Sequence, residues 1–189
     1  MQRYYFECAI IFLNVILRSS ILYACETYYN LTETQVRQLE RIEEGFLRKI
    51  FKTTTGCPIN QLYLESGHVP TRFAIKKARL LFQTNILEEK EDSTIRKFLM
   101  LQFEQPSKGD WASSCTQDLE ELGINLSLED IRKISKYTYR KLIKKAIQDK
   151  AFTYLTAKTK SKGQEIKYEE LKMADYLSPG YEKLTITDF

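Results

Sequence analysis

The stretch TETQVRQLERIEEGFLRKIF, Thr32 to Phe51, constrains the fold most, because its periodicity specifies a helix with two unlike sides. Val36, Leu39, Ile42, Phe46 and Ile50 recur at three- and four-residue steps, which places them on one face. Thr32 suits the N-cap, and Gln35 stands three residues later, the spacing of a capping box. Glu44 and Arg48 are four apart in the favourable order, worth about 0.2–0.5 kcal/mol on an exposed face. Thr53, Thr54, Thr55 and Gly56 end the pattern. Gly45 costs about 1 kcal/mol relative to Ala in a helix interior. Either a neighbouring backbone approaches it or the helix tolerates it. The remainder of the chain is expected to organise around this helix.

A chain of 189 residues, 43% hydrophobic and 29% charged, can bury a real core as one domain or two small ones. Seven Gly and four Pro suit long helices with short joints. The net charge of +4 is unevenly spread. Residues 1–126 carry 15 basic and 16 acidic groups, residues 127–162 carry 11 and 3, and residues 163–189 carry 3 and 6. One segment therefore holds the positive charge.

Cys8, Cys25, Cys57 and Cys115 form no CxxC, and His68 is the one histidine, so zinc-ligand spacing is absent. The apolar N-terminal stretch, residues 4–25, is interrupted by Asn14 and Arg18 and preceded by Glu7. A spanning helix needs about 20 mostly apolar residues, which favours a core helix over a signal peptide or membrane anchor. Two N-x-S/T triplets end at Thr32 and Ser127, where helix capping is the simpler reading.

The first helix is expected from Tyr4 to Tyr23, apolar around most of its circumference and so buried against more than one partner. INQLYLES follows Pro58 as a short helix ended by Gly67. Pro70 or Thr71 opens another helix, with Phe73, Ile75, Ala78, Leu81, Phe82, Ile86 and Leu87 inward. TIRKFLMLQF stops before Pro106, and WASSCTQDLEEL is closed by Gly123, with Trp111, Cys115, Leu119 and Leu122 along one face. Ser127 and Asp130 resemble a capping box opening the longest basic helix. Leu128, Ile131, Ile134, Thr138, Leu142, Ala146 and Ile147 would line its inner side. Residues 158–164 read as a basic loop, 168–177 as a short helix and 178–180 as a turn. No alternation specifies a sheet, so the fold class is all-α, a multi-helix bundle. Three stretches are expected: 1–88 as a helical bundle, 89–126 as connecting helices, and 127–189 as a basic helical linker.

Catalytic constellations are scarce. A triad could use only His68, which sits in a turn between Gly67 and Pro70. No phosphate-cradling glycine motif and no adjacent aspartate pair occurs, and no cofactor is implied. The basic helix is the remaining feature. Arg132, Lys133, Lys136, Arg140, Lys141, Lys144 and Lys145 can neutralise phosphates, and Tyr137, Tyr139, Phe152 and Tyr154 can stack on bases or sugars. Arg72, Lys76, Lys77 and Arg79 form a second basic patch. Against this stands a solvated lysine-rich face with tyrosines packed inward.

Three motifs resemble the region after the catalytic palm in reverse transcriptases of non-LTR (LINE-type) retrotransposons. Leu22 to Tyr28 is similar to that family's LYG-ETW stretch, with Ala24 and Cys25 as departures and Tyr28 for the usual Trp. Phe46-Leu47-Arg48-Lys49-Ile50 resembles FLRKI. Leu62-Tyr63-Leu64-Glu65, Gly67, Pro70 and Arg72 resemble LYLE-G--P---R---RL. The resemblance covers about residues 19–88 well and the remainder loosely. It implies a thumb-like helical region gripping an RNA or RNA–DNA template–primer, followed by a linker. Its partners would be an upstream polymerase palm and a downstream Cys/His-rich segment. The palm's Asp-Asp signature has no match here, so the expectation is binding without polymerisation, in the cytoplasm or nucleus and off the membrane. The rival is a helical interaction scaffold whose basic helix meets an acidic protein. A third reading is a membrane anchor at the N-terminus.

Overall fold

A computed structural model describes residues 8–53, 56–107 and 109–160, with side chains to residue 157. Among these residues the fold is all-α, with no strand. Eight helices follow one another: α1 (8–21), α2 (Glu33–Ile50), α3 (Ile59–Ser66), α4 (Thr71–Glu88), α5 (Thr94–Glu104), α6 (Trp111–Glu121), α7 (Leu128–Lys133) and α8 (Lys136–Lys160). A 3₁₀ turn, Cys25–Thr27, lies between α1 and α2. The helix expected over 168–177 and the turn at 178–180 lie outside the described residues. The first three residues of the expected 158–164 loop continue α8.

Local signals set most boundaries. Thr32 and Gln35 form the capping box that starts α2, and Ser127 and Asp130 form the one that starts α7. Gly67 and Gly123 end α3 and α6 in the left-handed region, at φ 66° and 71°. Asp110 caps α6 by accepting from the Ser113 N–H at 2.6 Å.

The organising element is α4, not α2. It packs against the 25–27 turn, α2, α5, α6, α7 and α8. Two apolar clusters form around this arrangement. One joins α4 through α8, around Leu80, Leu99, Cys115, Tyr139 and Ile143. The other joins α1, α2 and α3, around Leu13, Leu47 and Leu62, and is completed by Leu155 of α8. The clusters therefore follow helix packing rather than the 1–88, 89–126 and 127–189 stretches.

The face of α2 is the reverse of the apolar reading at its centre. Glu40, Glu43 and Glu44 are buried, whereas Ile42 is 52% exposed. Each glutamate has a partner: Glu40 and Glu43 meet cations or hydroxyls from other helices, and Glu44 meets Arg37 of α2 itself. Glu43, at 0% exposure, accepts from Thr71 Oγ1 at 2.8 Å and Tyr63 Oη at 3.1 Å, with Arg18 Nε at 3.3 Å. Glu44 pairs with Arg37 rather than Arg48, and Arg48 donates to the Cys57 carbonyl at 2.7 Å. Gly45 is exposed, and among the described residues no atom from outside its own helix backbone lies within 4 Å of where a Cβ would stand, so no neighbouring backbone of these residues approaches it.

α1 is not wrapped on all sides. Leu13 is fully buried, and Phe12 stacks on Phe46 at 5.5 Å, but Ile11, Val15 and Ile16 remain exposed. Leu13–Leu17 takes π-helical geometry, with the Arg18 N–H donating to the Leu13 carbonyl. Arg18 then reaches Glu43 and donates to the Val69 carbonyl. No helix among the described residues is long and apolar enough to cross a membrane.

Candidate nucleic-acid interface

The basic segment is two helices rather than one. Ile134 is extended, at ψ 138°, and Ser135 starts α8. Its Oγ accepts from the Thr138 N–H at 3.2 Å, and its carbonyl accepts from the Tyr139 N–H at 2.9 Å. This break resets the helical phase. Tyr139, Ile143, Ile147, Ala151 and Leu155 now form the buried stripe at four-residue steps. Thr138 and Leu142, expected inside, are exposed.

With that stripe inward, the opposite side of α8 carries Tyr137, Arg140, Lys141, Lys144 and Lys145. Tyr137 is 75% exposed; Arg140, Lys141 and Lys145 are exposed, and Lys144 is half-buried. Tyr137, Lys141 and Lys145 are stacked at four-residue steps, as are Arg140 and Lys144, so the five form one continuous face. Among the described residues, Arg140, Lys141 and Lys145 make no ion pair. The other aromatic candidates differ. Tyr139 is 0% exposed, and Phe152 and Tyr154 are half-buried, which leaves Tyr137 as the ring open to a base.

The cations near the α7–α8 junction have carboxylates within reach. Lys136 pairs with Glu88, Arg132 lies 3.8 Å from Glu91, and Lys133 lies 3.9 Å from Glu129. Exposed pairs of this kind contribute at most about 1 kcal/mol and open readily.

The patch on α4 divides. Arg72 holds Glu40 through Nε and Nη2, at 2.6 and 2.8 Å, reaches Glu33 at 2.8 Å, and lies 4.9 Å above the Tyr154 ring. Hydrogen bonding to Glu40 raises the guanidinium pKa still further above its ordinary value. Lys76 reaches Asp118 at 2.9 Å and Glu121 at 2.7 Å; burial works against its charge, but the two carboxylates outweigh burial and raise its pKa. Arg79 holds the other Asp118 oxygen at 2.9 Å. These three cations are balanced within the fold. Lys77 lacks an ion pair among the described residues.

Both ring nitrogens of His68 are occupied: Nδ1 lies 3.1 Å from the Ser66 carbonyl and Nε2 lies 2.9 Å from the Asn14 side-chain oxygen. Burial, with Arg18 nearby, lowers its pKa to about 4. Burial also pushes the Cys25 thiol up to about 11 and raises Cys115. Among the described residues, no group of three or more His, Cys, Asp or Glu is placed to hold a metal ion. The stripe on α8 had one available sequence signal, Ser135, which the uninterrupted apolar spacing from Leu128 to Ile147 obscured. No family model matches the chain, and no curated protein or solved structure matches it either.

Proposed function

We propose that the chain binds RNA or an RNA–DNA hybrid through the outward face of α8. The observation that carries this reading is the continuous run of Arg140, Lys141, Lys144 and Lys145 beside an open Tyr137 ring. Such a face neutralises successive phosphates and releases counterions. A-form duplexes present their phosphates around a wide, shallow minor groove, which suits contact by a helix surface. In this reading the chain supplies the thumb-and-linker portion of a non-LTR reverse transcriptase, and polymerisation is not assigned to it. One backbone detail supports the resemblance. Ala24 stands where the family motif has glycine, and its φ is +53°, a left-handed conformation that favours glycine.

The test is binding of the folded chain to a labelled RNA–DNA hybrid across a salt series, with heparin as competitor. The triple variant Arg140→Glu, Lys141→Glu, Lys145→Glu is expected to lose affinity and to flatten the log–log salt slope by about 2–3, at about 0.7–0.9 per phosphate contact. Unchanged affinity would overturn the reading. No wild-type binding at low salt would move the assignment to a scaffold for an acidic protein.

A further inference from the structure

α1 is tied to the fold along one side. Leu13 is fully buried, the Asn14 side-chain oxygen lies 2.9 Å from His68 Nε2, and Arg18 Nε lies 3.3 Å from a Glu43 carboxylate oxygen. These ties fix the rotation of the helix, so the side turned away from them stays outside. That side carries Ile11, Phe12, Val15 and Ile16, each 47 to 61% exposed. Ile11 with Val15, and Phe12 with Ile16, are four-residue neighbours, so the four make one surface. The surface continues onto α2. Phe12 stacks on Phe46 while Arg18 meets Glu43, so α1 and α2 run antiparallel. Ile42, 52% exposed, stands one turn from Phe46 in the direction in which α1 proceeds.

The chemistry of this face narrows its partner. Arg18 is the one charged residue from Cys8 to Tyr23, and it is turned inward to Glu43. The exposed neighbours of the four apolar residues on α1 are neutral: Cys8, Asn14, Ser19 and Ser20. Phosphates find no counter-charge on such a helix face. A second copy does match it, because a two-fold contact sets the same patch against itself and needs no complementary charge. The area agrees. At about 1.45 Å² of unfolded surface per dalton, the five exposures amount to about 450 Å². Apolar patches of this size mark interaction sites. A standard interface takes about 800 Å² from each partner, and about 55–65% of that is apolar. The five side chains therefore supply the apolar part of one such side, and the neutral residues around them supply rim. We propose that two copies of the chain associate through this face, with α1 and Ile42 of one copy packed on α1 and Ile42 of the other about a two-fold axis. The association does not depend on the reading of α8.

The experiment is sedimentation equilibrium of the full chain across the micromolar range, with alkylation of Cys8 followed by mass spectrometry at each concentration. Wild type is expected to reach twice the 22.3 kDa chain mass. Cys8 alkylation is expected to slow as the dimer fraction rises, against Cys57 as internal reference. The double variant Val15→Lys, Ile42→Lys is expected to stay at the single-chain mass with unchanged helical circular dichroism. Ile95→Lys, at a half-exposed position on α5 outside the face, is expected to dimerise as wild type does. If the double variant loses helicity, the Cys8 rates in wild type and Ile95→Lys decide the matter. A wild-type chain that stays monomeric throughout would overturn the proposal. Monomers with Cys8 protected at every dilution would assign the cover to another segment of the same chain. Monomers that bind uncharged phosphatidylcholine vesicles would assign it to lipid. A folded double variant that still dimerises would place the contact elsewhere, and masses climbing past two copies would show an open, head-to-tail contact; each of these results would also overturn it.

Discussion

Arg72 grips Glu40 with two hydrogen bonds, 2.6 and 2.8 Å long, and this pair locks α4 against α2. Glu40 is buried, and its pKa nevertheless falls: burial raises it, but the hydrogen bonds and charge of Arg72, helped by Arg37 at 3.3 Å, outweigh burial. Replacing one partner of such a pair leaves a buried charge uncompensated, which costs about 3–5 kcal/mol. Arg72→Met is therefore expected to lower the urea midpoint strongly. The double variant Arg72→Met, Glu40→Met is expected to lose less than the sum of the two single changes. A fully additive double variant would show that the pair is not coupled.

Acidification should act through His68 before it reaches the carboxylates. The folded ring resists protonation down to about pH 4, whereas the unfolded ring takes a proton near its ordinary 6.5. Between those values the unfolded state binds more protons, so stability falls as pH falls. The loss at pH 5 is about 2 kcal/mol, from 1.36 kcal/mol per unit. His68→Gln is expected to flatten the stability profile between pH 6.5 and 5. A profile as steep as wild type would assign the loss to other groups.

Tyr139 tests whether burial or ligand contact defines its role. Its side chain is fully buried, and its hydroxyl has no hydrogen-bond partner among the described residues. Tyr139→Phe removes an unsatisfied polar group and should be neutral or stabilising, by about 1 kcal/mol. Hybrid affinity is expected to be unchanged. In contrast, Tyr137→Ala should weaken binding by about 1–3 kcal/mol if the ring stacks on a base. Calorimetric melts and the same binding assay separate the two tyrosines.

Two backbone positions call for opposite exchanges. Ala24 occupies the left-handed region that glycine tolerates, and Gly45 occupies an exposed helix interior with open space at its Cβ position. Ala24→Gly and Gly45→Ala should each stabilise the fold, the latter by about 0.5–1 kcal/mol. The gain at Ala24 is smaller than the conformational strain alone, because glycine also frees the unfolded chain. A destabilised Gly45→Ala variant would point to a contact at that surface outside the described residues.

The helix starts at Thr32 and Ser127 and the stops at Gly67 and Gly123 were legible, because each signal lies within a few residues of the bond it makes. The buried side of α2 was not. Glu40 and Glu43 outcompete Ile42 for the interior because Arg72, Thr71 and Tyr63 arrive from 20 to 32 positions further along the chain. Local periodicity carries no record of such partners. The basic face of α8 was legible in composition but not in phase, since Ser135 restarts the helix and turns Tyr139 inward. The same limit hid the division of the α4 patch. Arg72, Lys76, Lys77 and Arg79 look alike in sequence, and only the positions of Glu40, Asp118 and Glu121 distinguish Lys77 from the others.

Leu155 has a consequence for synthesis. It completes the cluster of Leu13, Leu47 and Leu62, so the earliest-made helices wait for a residue made more than 90 positions after Leu62. Until α8 has left the ribosome, those leucines lack their final cover, and the nascent N-terminal half is a client for chaperones rather than a finished module. Ribosome-stalled chains ending at residue 150 and at residue 175, each followed by a linker long enough to clear the exit tunnel, should differ sharply in protease resistance of α1–α3, although both contain all three helices.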